Sequence, residues 1–142
     1  MKILITSDIH KDLKRLTKVF NKHQNLDYHL DAGDSNLSVA YLDEKKIISV
    51  KGNTDFFSKL PIKRILEIDN KRILLIHGHT LKVKTTKDIL YSYAKGLNVD
   101  VCIYGHTHIQ LMENKEGIIF INPGSITTNN YVLYEKGSFK LF

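Results

Sequence analysis

Five short apolar runs in this chain end in side chains that can ligate a metal, and that repetition restricts the fold more than any other feature. They are "ITSDIH" (Asp8, His10), "LDAGD" (Asp34), "ISVKGNTD" (Asn53, Asp55), "LLIHGH" (His77, His79) and "IYGHTH" (His106, His108). A single strand ending in Gly, Asp or His is an ordinary turn. Five such endings, holding five of the seven histidines, call for a common cause. In an open α/β sheet the carboxyl ends of the strands line one crevice, so residues distant in sequence converge there. The expectation is an α/β chain with these side chains gathered at one end.

The remaining pattern agrees. "KILIT" reads as a first strand, and "DLKRLTKVFNKHQ" as a helix behind an Asp12 cap, with Leu13, Leu16 and Phe20 at helical spacing. "DYHLDAGD" and "KKIISVKGNTD" supply the next strands, and "IKRILEI" and "KRILLIH" flank a "DNK" hairpin. Thr85, three residues before Asp88, marks a second helix that places Ile89, Leu90, Tyr93, Ala94 and Leu97 on one face. After "VDVCIY" the pattern turns to β in "IQLME", "GIIFIN", "YVLYE" and "SFKLF". No linker or repeat interrupts the 142 residues, so one domain, 1–142, is expected.

Composition narrows the function classes. With 42% hydrophobic and 25% charged residues the chain reads as soluble and globular. The apolar run after Met1 is too short for a signal core or a membrane span, which predicts a cytoplasmic protein with no membrane partner. Cys102 is the sole cysteine and sits in an apolar run, as a core residue rather than a nucleophile. The net charge of +6 comes from scattered lysines, and only Arg15, Arg64 and Arg72 among the 21 basic residues are arginine. Recognition of long nucleic acid favours clustered arginine, so a polymer partner is not expected. The positive field would attract a small anion.

Two carboxylates and several imidazoles crowded into one cleft cost several kcal/mol per uncompensated ion, and divalent cations remove that penalty. The donors are nitrogen and oxygen with no thiolate, which suits Mn, Fe, Ni, Zn or Co and disfavours Mg or Ca. Two such ions about 3.5–4 Å apart would clamp a phosphoryl centre and acidify a water held between them, making hydroxide the expected nucleophile.

The ordered set "SDIH", "GD", "GNTD", "HGH", "GHTH" and "NPGS" resembles the calcineurin-like metallophosphoesterase superfamily, and in particular its small bacterial and archaeal phosphodiesterases. The resemblance covers nearly the whole chain. It implies a four-layer α/β sandwich: two mixed β-sheets packed face to face and flanked by helices. It further implies that Asp8, His10, Asp34 and His108 surround one ion and Asp34, Asn53, His77 and His106 the other, with Asp34 as the bridge and Mn as the first choice of metal. Asn53 would add an oxygen without charge. Asp34, Asn53 and His79 are the candidate catalytic residues, His79 through substrate contact or protonation of the leaving group. Asp55 is read as orienting its neighbours, and "NPGS" as a turn behind the ligand loops. His23 and His29 fall outside every motif.

Thr54 stands where many superfamily members carry histidine, a change shared by the small phosphodiesterase branch. The stretch from Ser35 to Lys51 shows little helix signal and predicts an open, shallow site. Two divalent ions set against Asp8, Asp34 and one hydroxide leave about +1, which a diester monoanion neutralises and a monoester dianion overshoots. A small phosphodiester is therefore the expected substrate. The alternative is a non-catalytic interaction scaffold like the phosphoesterase-like subunit of the retromer coat, and relatives of this kind also form homo-oligomers.

Overall fold

The computed structural model describes residues 1–142. Strand β1 (Lys2–Thr6) is followed by helix α1 (Leu13–Lys22), β2 (Tyr28–Asp31), helix α2 (Val39–Glu44) and β3 (Ile47–Ser49). Then come β4 (Lys63–Ile68), β5 (Lys71–Ile76), helix α3 (Asp88–Gly96), β6 (Val101–Ile103), β7 (Leu111–Lys115), β8 (Ile118–Asn122), β9 (Val132–Glu135) and β10 (Ser138–Leu141). They form two five-stranded sheets, ordered β10-β9-β1-β2-β3 and β4-β5-β6-β8-β7. Each is mixed: β1, β2 and β3 run parallel in the first, and β5, β6 and β8 in the second, with antiparallel strands outside.

Strand periodicity sorts the side chains into layers. Ile3 and Ile5 of β1 meet Leu30, Ala32, Ile73, Leu75, Val101, Ile103 and Ile121 between the sheets. Leu4, one step out of phase, faces α1 and packs with Leu16, Val19, Ile126 and Tyr131. In the second sheet Leu74, Ile76, Cys102, Tyr104 and Phe120 face α3 through Leu90 and Ala94. The result is helix, sheet, sheet, helix, the expected four-layer sandwich. Each fully buried Leu or Ile contributes roughly 1.5–3 kcal/mol, and the sheet-to-sheet layer is the largest of the three clusters they form. Cys102 is fully buried under α3, and burial pushes its thiol above the ordinary range, in keeping with a core role.

Local chemistry explains the element ends. Asp12 caps α1 by accepting the Arg15 amide at 3.1 Å. The β4–β5 hairpin turns on Asp69 and Asn70, both with positive φ, as a two-residue turn of the twist-matched type requires. Three expectations need correction. The stretch 35–51 contains α2, capped by the Ser38 side chain on the Tyr41 amide and anchored only by Leu42. Helix α3 starts at Asp88 rather than Thr85, with the Thr86 hydroxyl accepting the Asp88 amide. Leu13 and Ile89 lie on the solvent side of their helices, which bury Leu16 and Val19, and Leu90 and Ala94.

Beneath the ligand loops the last residues of the parallel strands are tied together. Asp31 accepts the Thr6 and Ser49 hydroxyls at 2.9 and 2.8 Å and the Gly33 amide at 3.1 Å. His29 Nε2 lies 2.8 Å from the same Thr6 oxygen, whose proton is directed to Asp31, so the imidazole donates. Burial drives His29 down to about 3 and Asp31 up to about 7.

Candidate metal centre

The loops after β1, β2, β3, β5 and β6 bring the expected side chains to one end of the sandwich. Asp8, His10, Asp34, His106 and His108 all have φ between 48° and 71°, the left-handed region that Asp and His tolerate better than most residues. Such a concentration of strained backbone is typical of sites where geometry is held for function. The loops are zipped to each other by backbone: Asp8 N–H to Gly33 O at 2.9 Å, His10 N–H to Asp34 O at 3.0 Å, and Lys11 N–H to Ser35 O at 2.9 Å. Two glycines permit the crowding. A Cβ on Gly52 would stand 2.1 Å from Asp34 Oδ1, and one on Gly105 would stand 1.9 Å from Ser7 Oγ and 2.8 Å from Asp8 Oδ2.

The side chains fall into two groups, Asp8 with His10 and His108, and Asp34 with His77 and His106, the ligand atoms of each within 4.8 Å of one another. Each group draws from both sheets. Asp8 and His10 follow β1 and Asp34 follows β2, whereas His77 follows β5 and His106 and His108 follow β6.

In the first group Asp8 Oδ1 is buried and lacks any hydrogen-bond donor. His108 Nε2 lies 3.0 Å from it, His10 Nε2 3.6 Å and His77 Nε2 3.9 Å. Its other oxygen accepts the Ser7 hydroxyl at 2.6 Å and the His106 amide at 3.1 Å. His10 Nδ1 donates to Asn36 Oδ1 at 2.9 Å, which fixes the ring with Nε2 turned toward Asp8. A buried carboxylate oxygen without a donor, among three imidazole nitrogens, is an arrangement a divalent cation satisfies. The spacing suits metal–ligand bonds of roughly 2.0–2.2 Å.

The second group is paired internally. His77 Nδ1 donates to Ala32 O at 2.7 Å, and its Nε2 lies 3.2 Å from Asp34 Oδ2 and 3.0 Å from Asn53 Oδ1. Burial alone would raise Asp34 and lower His77. The hydrogen bond and opposite charge between them win in both cases, holding Asp34 well below the carboxylate range and raising His77. The Thr54 amide adds a further hydrogen bond to Asp34 Oδ1 at 2.9 Å. His106 is pushed down to about 4, chiefly by burial and then by His77, so its ring is neutral at physiological pH.

His79 lies at the edge of this pair, its ring 5.4 Å from His77 and 6.1 Å from His106, and belongs to neither group of ligand atoms. Its Nδ1 is buried without a partner. Asp55 ties the loops, accepting the amides of Asp34, Gly52 and Asn36 at 2.9, 2.8 and 3.1 Å. In "NPGS", Asn122 donates to Gly105 O at 3.1 Å and Ser125 Oγ to Asp8 O at 2.7 Å, which makes the motif a brace behind the ligand loops. His23 is bonded to Tyr131 Oη at 2.8 Å, remote from the site, as its place outside the motifs implied. Sequence reasoning missed Asn36, and it gave Ser7 and Ser125 no bonds of their own within "SDIH" and "NPGS". Only its closeness in sequence to Asp34 could have signalled Asn36.

Two mixed sheets between helices, with paired Asp/His groups across the open ends of both, define a metallophosphatase-type protein. The model of the calcineurin-like phosphoesterase superfamily domain matches residues 1–135, and the chain belongs to that superfamily. The probable metallophosphoesterase YsnB of Bacillus subtilis is 35% identical over 127 residues, spanning 89% of this chain and 75% of that protein. Phosphodiesterase MJ0936 of Methanocaldococcus jannaschii is 30% identical over 146 residues, spanning 87% and 83%. Among solved structures, a conserved Streptococcus pneumoniae protein described as a predicted phosphoesterase superposes with a TM-score of 0.84 at 27% identity, covering 99% of this chain and 86% of that one. A single mutant of Vps29 from Entamoeba histolytica superposes with a TM-score of 0.78 at 25% identity, covering 100% and 97%.

Proposed function

We propose that this chain is a dinuclear metal-dependent phosphodiesterase acting on small substrates. The observation that carries the reading is the buried, donorless Asp8 Oδ1 among three imidazole nitrogens, beside a second Asp/His group. Asp8, His10, Asp34 and His108 would hold one ion and Asp34, Asn53, His77 and His106 the other, with Asp34 serving both. When bound, divalent ions supply Lewis-acid polarisation of a phosphoryl oxygen and an acidified water.

The chain's own residues prepare that chemistry. Ala32 and Asn36 fix the tautomers of His77 and His10 so that Nε2 faces inward. Asn53 gives an amide oxygen in place of a third carboxylate, which keeps the site net positive and suited to a diester monoanion. His79 stands where it would touch the substrate or protonate the leaving alcohol. Manganese is the favoured ion, with Ni, Fe, Zn or Co as substitutes. No helix of the chain is long and apolar enough to cross a membrane, and a cytoplasmic location agrees with the single buried cysteine.

The test is to strip metal from the purified chain with a chelator, restore Mn, and follow bis(4-nitrophenyl) phosphate against 4-nitrophenyl phosphate. Hydrolysis should vanish, return with the ion and favour the diester. Full activity after complete chelation would overturn the mechanism. The likeness to Vps29 favours a second reading, an interaction scaffold. That reading predicts no turnover with any of these ions, and the coordinating residue at every motif position argues against it.

A further inference from the structure

The loop that carries Asn53 continues into two phenylalanines held out in water. Phe57 is 100% exposed and Phe56 74%, although contiguous exposed apolar surface is usually a binding feature. The turn beneath them is anchored: Asp55 accepts three backbone amides, and its own carbonyl takes the Ser58 amide at 3.1 Å. The rings are thus presented by a fixed turn next to the metal centre.

They form one wall of a groove of about 810 Å³, with Val39 as a further apolar surface. Its inner end is built by Asn36 and Thr54, and Asn36 is the residue that bonds His10 Nδ1. The groove therefore starts where the ligand set ends. Lys11 and Lys59 also line it, Lys11 being held by its backbone bond to Ser35 O, while the one carboxylate in the lining, Asp55, is engaged by three backbone amides.

Two occupants suit a surface of apolar rings and lysines. A second copy of the chain is disfavoured by area, since two phenyl rings offer about 150–250 Å² each where stable association needs about 800 Å² per partner. A small anion carrying a flat ring fits better. The groove's volume lies in the range of small-molecule sites, the lysines attract the phosphate, and the phenyl faces offer stacking. Building on the proposed phosphodiesterase reading, we infer that the groove formed by Phe56 and Phe57 receives an aromatic substituent of the substrate, so that the site selects nucleotidyl or aryl phosphodiesters over alkyl ones.

Titration calorimetry on the Mn-loaded protein tests this without relying on turnover. The probes are AMP against ribose 5-phosphate and phenylphosphonate against methylphosphonate, with inorganic phosphate as reference. AMP should bind about tenfold more tightly than ribose 5-phosphate. Phe57→Ser and Phe56→Ser should each narrow that gap, and Phe57→Tyr should retain it. A gap in the nucleotide pair alone assigns a nucleobase, and a gap in both pairs assigns any aryl ring. Equal affinities within both pairs overturn the inference while leaving the phosphodiesterase reading intact. So does a dimer in light scattering that Phe57→Ser converts to monomer, because the rings then serve a contact between copies.

Discussion

The two ligand groups are built on different principles. Asp34, His77 and His106 are buried or half-buried, and Asp34 and His77 face each other at 3.2 Å, each favouring the other's charged form. In the other group His10 and His108 open toward solvent, with the side chain of His108 46% exposed, above the fully buried Asp8, whose carboxylate oxygen receives no donor. The Asp34 group satisfies its own polar atoms, whereas the Asp8 group is left with a carboxylate oxygen that a cation would satisfy. A bridging carboxylate would let the firm group position an ion for the unsatisfied one.

This difference should break most visibly in the metal-free protein. Asp34→Asn removes one partner of a buried pair and should destabilise the chelated chain by about 3 kcal/mol. Asp8→Asn relieves an unsatisfied oxygen and should raise stability by about 1 kcal/mol. Urea denaturation checks both, and shifts of equal sign and size would erase the distinction. With Mn restored, both variants should lose hydrolysis.

A smaller contrast lies in the braces. Asp55→Ala leaves three amides of the Asp34 side without an acceptor and should cost about 2–3 kcal/mol. Ser125→Ala removes one hydroxyl from the Asp8 carbonyl and should cost about 1 kcal/mol. Denaturant midpoints that rank the two the other way would show that the firm group does not depend on its loop ties.

A contrast read in pH rather than at one condition concerns the polar network beneath the Asp34 loop. His29 has a folded value of about 3, below its ordinary 6.5, so the stability it contributes is present above 6.5 and is lost as pH falls toward 3. Asp31, raised from 3.8 to about 7, works in the opposite sense: its contribution is complete below 3.8 and is lost as pH rises toward 7. Between about pH 4 and 6.5 the two slopes oppose each other. His29→Asn should uncover the Asp31 slope, so that the chelated variant gains stability on acidification through that window, by at most about 1.4 kcal/mol per pH unit. Urea midpoints across pH would check it, and parallel profiles for variant and unaltered chain would contradict it.

The strands and the ligand turns were legible because each is a contiguous signal: a short apolar run such as "KILIT" or "KRILLI", buried on both faces, then a turn with its donors. Helix α2 was not, since six residues anchored by Leu42 span fewer than two turns and show no period. The faces of α1 and α3 were only partly legible. Leu13 and Ile89 fit the spacing but lie on the solvent side, and only packing against the sheets decides that. Asn36, Ser7 and Ser125 were hidden for a different reason. Their roles rest on bonds to His10, Asp8 and the loop carbonyl behind it, set by the meeting of distant segments.

Both ligand groups take members from each of the two sheets, and this has a thermodynamic corollary. Ion occupancy is linked to the docking of one half of the sandwich on the other, because neither half alone holds a complete set of donors. Saturating cation should therefore raise the transition temperature of the whole chain as one cooperative unit. Any force that shears the halves apart would release the ions at the same moment.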